Sequence, residues 1–77
     1  MNAFREAAAA LVTARKTHSG LAIEITLEEY GARIHATMKN RGLDRSVSWA
    51  DIEDAHVNVL AICVGDVARQ LAALAKQ

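Results

Sequence analysis

Hydrophobic residues in the last third of the chain recur at alternating steps of three and four. Because an α-helix turns once in about 3.6 residues, this spacing predicts one long helix over residues 50–76. Its main apolar stripe consists of Val57, Leu60, Val64, Val67, Leu71 and Leu74. A second stripe holds only small residues, at steps of four, three and four: Ala61, Gly65, Ala68 and Ala72. A helix that is apolar on most of its sides must be buried on most of them.

This helix leads us to expect a homodimer. In a chain of 77 residues the rest of the fold offers too little cover for both stripes, so a second copy is the simplest partner. The residues expected at the dimer interface are Val57, Leu60, Ala61, Val64, Gly65, Val67, Ala68, Leu71 and Leu74. The small stripe has an equal alternative, which is to pack on the alanines at 7–10 in the first helix of the same chain. A single copy that buried Leu60, Val64, Val67 and Leu71 would contradict the dimer prediction.

The start of the chain has the pattern of a helix over residues 3–17. Phe4, Ala8 and Leu11 belong to a narrow apolar stripe, and Gly20 follows the end of the periodic segment. Ser48 is the expected N-cap of the last helix, because a serine side chain accepts a hydrogen bond from the free N–H groups of a first turn.

The middle of the chain, residues 21–49, has two interpretations. A helix from Leu27 would have Thr26 as its N-cap and Gly42 as its stop, which makes the protein all-α with three helices. Three antiparallel strands over residues 21–28, 32–39 and 44–49 fit the alternation of apolar and polar positions instead. The strands would be joined by a turn at Tyr30 and Gly31 and a second turn at residues 40–42.

Strand pairing favours the sheet. The first turn would set apolar residues opposite each other on one face and polar residues opposite each other on the other. The pairs are Leu27 with Ile34, Ile25 with Ala36, Ile23 with Met38, Glu28 with Arg33 and Thr26 with His35. A real hairpin requires this agreement, because opposite residues share a face. The predicted helix-facing side consists of Ile23, Ile25, Leu27, Ile34, Met38, Val47 and Trp49.

We therefore predict an α+β fold in one domain over residues 1–77: a helix, a three-stranded antiparallel β-meander and a long C-terminal helix. Nine basic and nine acidic residues cancel, without the basic excess typical of proteins that bind nucleic acid. The one cysteine, Cys63, excludes a disulfide within the chain and fits a reducing compartment. The N-terminus lacks the pattern of a signal peptide, and no apolar run reaches the length of about 18 residues that spans a membrane. We expect a cytoplasmic protein without membrane contact.

No group of residues has the spacing of an active site or a metal centre. His18, His35 and His56 lie far apart, without the short spacing of paired zinc ligands. Cys63 lies inside the apolar helix, which argues against a reactive thiolate. We expect no catalytic residue, no metal and no cofactor, and therefore a protein that is not an enzyme.

The polar side of the predicted sheet is the candidate binding surface. Its mixed charges suit recognition of a larger protein, because electrostatic complementarity gives specificity and a fast on-rate. The candidate contacts are Glu24, Glu28, Tyr30, Arg33, His35, Lys39 and Arg41. A rival interpretation is a small nucleic-acid-associated regulator that uses Arg33, Lys39, Arg41 and Arg45, and a third is a structural subunit of a phage particle.

In its small size, its many alanines and its lack of an active-site motif, the chain is similar to small proteins carried by bacteriophages and mobile elements. Several anti-CRISPR proteins and other inhibitors of host factors are of this kind. The likeness covers no motif, so it assigns a role to no residue. It implies a non-enzymatic protein that binds and occludes a larger partner.

Overall fold

Two tight hairpins join the middle of the chain into an antiparallel sheet, with helices before and after it. The structure, a computed structural model, describes residues 3–54 and 56–76. The elements are α1 (Ala3–Thr17), β1 (Ala22–Glu28), β2 (Gly31–Met38), β3 (Arg41–Ser48), α2 (Trp49–Ile52) and α3 (Val59–Ala75). The predicted α+β class is confirmed, and the all-α alternative is wrong. α1 has the predicted bounds, β1 and β2 differ from theirs by one residue, and β3 begins three residues earlier than predicted.

The strands lie in the order β1-β2-β3, and both hairpins close with two-residue turns. The first turn is Glu29 and Tyr30, one residue before the predicted one, so Ile25 lies opposite Ile34 and not opposite Ala36. Every predicted pair in this hairpin is therefore wrong by two residues. Because side chains alternate between the two faces with a period of two, a shift of two leaves each residue on its predicted face.

Gly31 belongs to β2 and not to the turn. Its φ is +154°, and a Cβ atom there would overlap the carbonyl oxygen of Val47 in β3. Only a residue without a side chain lets the two backbones come this close. The second turn is Lys39 and Asn40, with Lys39 in the left-handed region at φ +56°, so the predicted turn at residues 40–42 is also wrong.

The helices cover one face of the sheet. α3 packs against β2, β3 and α1, and α1 also packs against β1. The larger buried side chains of this core are Leu21, Ile23, Ile34, Met38, Val47, Ile52, Leu60, Val64, Val67 and Leu71. Three residues of the predicted helix-facing side are less covered than expected. Ile25 and Trp49 are half-buried, and Leu27 is 59% exposed at the end of the outer strand.

The residues on which the dimer prediction depended are covered within one copy. Exposure is 0% at Leu60, Val64, Val67 and Leu71. The premise that this helix has more apolar surface than its own fold can shelter is therefore wrong, because the sheet covers one side of α3 and α1 covers the adjacent side. A second copy could reach these side chains only by unpacking the core. The other expected interface residues are the buried Ala68, the half-buried Ala61, Gly65 and Leu74, and Val57, which lies before α3.

The small stripe of α3 faces α1 in the same chain, as in the alternative to the dimer. Gly65 and Ala68 line one groove together with Ala10 and Ala14 of α1. Small side chains on both helices let their axes lie close together. Gly65 itself is not required for this contact, because a Cβ atom there would meet only the guanidinium of Arg69 in its own helix, 3.2 Å from Nη1.

The C-terminal helix is interrupted, which corrects the prediction of one helix over residues 50–76. Ser48 caps only the single turn of α2, where its hydroxyl accepts a hydrogen bond from the Asp51 N–H at 3.2 Å. Beyond α2 the Asp54 carboxylate accepts from the His56 N–H at 2.8 Å, and Asn58 is the N-cap of α3. Asp and Asn side chains that bond to the nearby backbone compete with helix formation. Among residues 3–54 and 56–76 no helix has the length and apolarity needed to cross a membrane.

Candidate protein-binding face

One side of the sheet points away from the helices, and we call it the polar face. Its residues alternate along each strand with the buried ones, because neighbouring side chains of a strand point to opposite sides. Across the three strands it consists of the rows Ala22, Thr37 and Gly42; Glu24, His35 and Asp44; Thr26, Arg33 and Ser46; and Glu28, Gly31 and Ser48. Four of the predicted contacts, Glu24, Glu28, Arg33 and His35, are therefore brought together on one surface.

The centre of the polar face is a row of ionisable side chains. His35 lies between Glu24 and Asp44, and its Nδ1 is hydrogen-bonded to Oδ1 of Asp44. The side chains of His35 and Asp44 remain 42% and 55% exposed. Arg33, in the next row, is exposed and forms no ion pair within the part of the chain that the structure describes. Exposed pairs of this kind add little to folding stability, so these groups remain available to a partner.

Tyr30 is positioned at one end of the polar face although it is 50% exposed. The Ser46 hydroxyl donates a hydrogen bond to its phenol oxygen at 3.4 Å. The turn that carries Tyr30 is tied to α2, because the Trp49 indole N–H donates to the Glu29 carbonyl at 2.8 Å and the Trp49 backbone N–H donates to the Tyr30 carbonyl at 3.2 Å. Because these bonds hold the turn in place, the backbone that carries Tyr30 loses little conformational entropy when a partner binds.

Lys39 and Arg41 lie at the opposite end of the sheet, about 25 Å from Tyr30 at the usual rise of about 3.3 Å per residue. Arg41 is paired with the buried Met38 and so belongs to the helix-facing side. It lines a depression near the end of α3 together with Lys39 and Ala75. Arg41 is therefore removed from the predicted surface, and Lys39 lies at its margin.

The four basic residues of the rival interpretation are spread over different surfaces. Arg45 lies opposite Ile34 on the helix-facing side, where its guanidinium donates to the Gln70 side chain at 3.2 Å and lies 3.8 Å from the Asp66 carboxylate. Of the four, only Arg33 has its place on the polar face. A nucleic acid would therefore not meet these residues as one continuous row of cations, which is the arrangement that phosphate binding favours.

His35, Asp44 and Ser46 do not form a hydrogen-bonded triad on the polar face. The pair of His35 and Asp44 corresponds to the base and the orienting acid of a serine hydrolase, but the Ser46 hydroxyl donates to Tyr30 and not to His35. The depression beside His35 measures about 240 Å³, below the range of about 300–1,000 Å³ typical of ligand pockets. Within residues 3–54 and 56–76 no group of three His, Cys, Asp or Glu side chains could hold a metal ion. The polar face presents charges and hydrogen-bonding groups on an exposed surface.

Asp44 and Ser46 are members of the polar face that the sequence analysis missed. Residues 41–48 alternate only weakly in the sequence, because two of the four positions on the helix-facing side are arginines, Arg41 and Arg45. The signal that could have found Asp44 is the turn: closing the second hairpin at Lys39 and Asn40 places His35 opposite an acidic residue.

Comparison with protein-family models, with characterised proteins and with solved structures finds no significant match to this chain. The functional proposal therefore depends on the geometry of the polar face.

Proposed function

We propose that this protein is a non-enzymatic binding protein that places its polar face on a larger protein and occludes a site there, as an inhibitor of a host factor would. The observation that carries the proposal is the uncovered side of the sheet, which presents mixed charges and a positioned tyrosine. An antiparallel sheet needs a core on only one of its faces, so its other face can serve a partner at little cost in folding stability.

The area of the polar face indicates how far the contact with a partner must extend beyond the strands. Three strands about 4.8 Å apart, with a length of about 25 Å, cover roughly 350 Å². A stable protein–protein interface buries about 800 Å² on each partner. The contact therefore includes the adjoining turns, Glu29 and Tyr30 at one end and Lys39 and Asn40 at the other.

The charges of the polar face favour a protein partner of mixed charge. Acidic residues flank His35 on both sides in its row, and Arg33, which forms no ion pair with the other described residues, lies in the next row. Tyrosine and arginine are the residue types that most often carry the binding free energy of an interface. Tyr30 and Arg33 are therefore the expected main contributors, with the surrounding side chains supplying complementarity.

The test is affinity capture of the partner from cells that encode the protein, repeated with variants. Tyr30→Ala removes the aromatic contact and Arg33→Glu reverses the unpaired charge, and each should weaken binding about tenfold or more. Lys16→Glu makes the same change of charge on the exposed end of α1 and should capture the partner as well as the unmodified protein does. Circular dichroism checks that each variant is folded.

Two results would contradict the proposal. The first is a partner whose capture survives both Tyr30→Ala and Arg33→Glu. The second is an equal loss of capture with Lys16→Glu, which would place the contact on the helical layer. Occlusion has its own readout, because the activity of the purified partner should fall as this protein is added.

A further inference from the structure

We infer that the outer edge of β1 accepts an extended polypeptide segment in which basic and apolar residues alternate. The inference rests on the proposed function in one respect, which is that this protein binds a polypeptide. It differs from the proposed contact because its main contacts are backbone groups at the edge of the sheet, although Glu24 and Glu28 of the polar face lie beside that edge.

The backbone of β1 has hydrogen-bonding groups that point out of the sheet. β1 is an edge strand in the order β1-β2-β3. In a hairpin with a two-residue turn the closing pair is hydrogen-bonded, so the N–H and C=O groups of Ile23, Ile25 and Leu27 point outward. A hydrogen bond from Arg15 supports this direction, because its Nη2 donates to the Ile23 carbonyl from outside the sheet at 3.0 Å. Among the described residues no hydrogen bond from outside the sheet reaches the backbone of Ile25 or Leu27.

One flank of this edge is apolar and open to solvent. Leu27 is 59% exposed although it lies opposite the fully buried Ala32. An added strand would cover this side chain while it pairs with the outward backbone groups.

The other flank of the edge is acidic. Glu24 and Glu28 point to the polar face from β1, and Glu29 begins the adjoining turn. None of the three forms an ion pair with another of the described residues. An added strand places every second side chain beside these carboxylates, where basic residues are favoured. Its remaining side chains fall beside Leu27, where apolar residues are favoured.

The same charges argue against a second copy of this chain as the occupant. Antiparallel pairing of two β1 strands would gather Glu24 and Glu28 of both copies on one face, and like charges at this spacing are unfavourable. The opposite edge of the sheet is a poorer site, because none of the large exposed apolar side chains found among the described residues belongs to β3. The occupant that fits is a strand from a different chain with basic residues at alternate positions.

The experiment uses the intact protein and two synthetic peptides of about eight residues. One alternates lysine with valine, and the other alternates glutamate with valine. In NMR amide exchange, the lysine peptide should slow exchange at Ile25 and Leu27 and leave the outward amides of β3 unchanged. It should also bind at least about tenfold more tightly than the glutamate peptide.

Three results would overturn the inference. One is protection of β3 amides alone, and another is equal affinity for the two peptides. The third is a dimer in light scattering that already protects Ile25 and Leu27 without peptide, because a second copy would then be the occupant.

Variants distinguish the contributions that the acidic flank, the apolar flank and the backbone of β1 make to peptide binding. Glu28→Lys should weaken binding of the lysine peptide severalfold, whereas Glu53→Lys, the same change at an exposed residue beyond α2, should not. Leu27→Ala keeps the outward N–H and Leu27→Pro removes it, so the proline variant should lose more binding. Circular dichroism shows whether the proline variant folds, and if it does not, unchanged binding by Glu28→Lys still refutes the inference.

Failure of this inference is distinguishable from failure of the proposed function. Arg33→Glu alters the polar face and leaves the outward amides of β1 in place. Loss of partner capture by Arg33→Glu with retained peptide binding indicates two separate surfaces. If Arg33→Glu still captures the partner and the lysine peptide binds as expected, only the proposed function is contradicted. If the unmodified protein captures the partner but does not bind the lysine peptide, only the inference is contradicted.

Discussion

Replacing Leu71 with alanine tests whether α3 is sheltered by its own chain. Leu71 has 0% exposure, on the side of α3 that packs against the sheet and α1. The substitution removes three carbon atoms from the core, and the surrounding elements are held in place by the sheet ladder and by α1. The site can therefore close only in part over the space left behind.

The expected loss of unfolding free energy is about 3 kcal/mol, within the range of about 2–5 kcal/mol for buried Leu→Ala changes. A domain of this length has a total stability of roughly 4–12 kcal/mol. The variant should therefore be strongly destabilised. At the lower end of that range about 1 kcal/mol would remain, which leaves roughly one molecule in six unfolded at room temperature. Ile62→Ala is the control on the same helix, because Ile62 is 52% exposed and should lose less than about 1 kcal/mol.

Urea unfolding followed by circular dichroism measures both variants at two protein concentrations. For a small domain the slope is about 1 kcal/mol per molar urea, so the midpoint of Leu71→Ala should fall by about 3 M. Neither midpoint should depend on protein concentration, because the contacts of Leu71 lie within one chain.

The opposite outcome would restore the dimer interpretation. If Leu71 contacted a second copy, Leu71→Ala would yield a folded monomer whose midpoint does not depend on protein concentration, whereas the midpoint of the unmodified protein would rise with concentration. That pair of results would show that the packing of α3 described above is incorrect.

Three further substitutions, one of them with a matched control, test the close contacts and the helix cap of the fold. Gly65→Ala should raise the melting temperature and add about 0.5–1 kcal/mol to the free energy of unfolding, because alanine has the higher helix propensity and its methyl group meets only the flexible end of Arg69. A lower melting temperature would mean that α1 lies closer to Gly65 than the structure shows. Gly31→Ala should prevent stable folding because its Cβ atom would overlap β3, whereas Gly42→Ala, whose Cβ atom has no neighbour closer than 3.8 Å, should fold normally in the same urea assay. Asn58→Ala should cost about 1 kcal/mol through loss of the N-cap of α3, and an unchanged urea midpoint would contradict that role.

The hairpins show how far an alternating pattern can be trusted. Alternation correctly assigned Ile25 and Ile34 to the helix-facing side and Glu24 and His35 to the polar face, because the period of a strand is a local property. It could not locate the turn. The glycine that suggested a turn at residues 30 and 31 is needed for the close approach of β3, a strand that follows ten residues later.

The C-terminal third shows a second limitation, because there the periodic pattern itself predicted the wrong extent of a helix. Apolar spacing continued across residues 53–58 without a glycine or proline to end the helix, so one continuous helix was predicted. The interruption depends on two side chains, Asp54 and Asn58, that bond to the backbone nearby. Each of these residues also fits the surface of a helix, so the sequence alone does not distinguish the two outcomes.

The membership of the polar face was predicted in part. Glu24, Arg33 and His35 were placed on one face because they share the parity of their strands. The partnership of His35 with Asp44 depends on the register of the second hairpin, and the loss of Arg41 from the surface depends on the same register. A one-residue error in the position of a turn changes which side chains meet across the strands, and such errors are common where alternation is weak.

The order of elements, the extent of the first helix and the division of the sheet into an apolar and a polar side follow from the sequence, because each reflects periodicity within a short segment. The burial of α3, the strand register and the two open edges of the sheet follow from the packing of distant segments. Leu60, Val64, Val67 and Leu71 form the same apolar stripe in a dimer and in a monomer, so their spacing alone could not show which surface covers them. The sheet supplies that cover because its strands together present an apolar surface wide enough for the helix, and the width of a sheet is a property of strand pairing that no single segment contains.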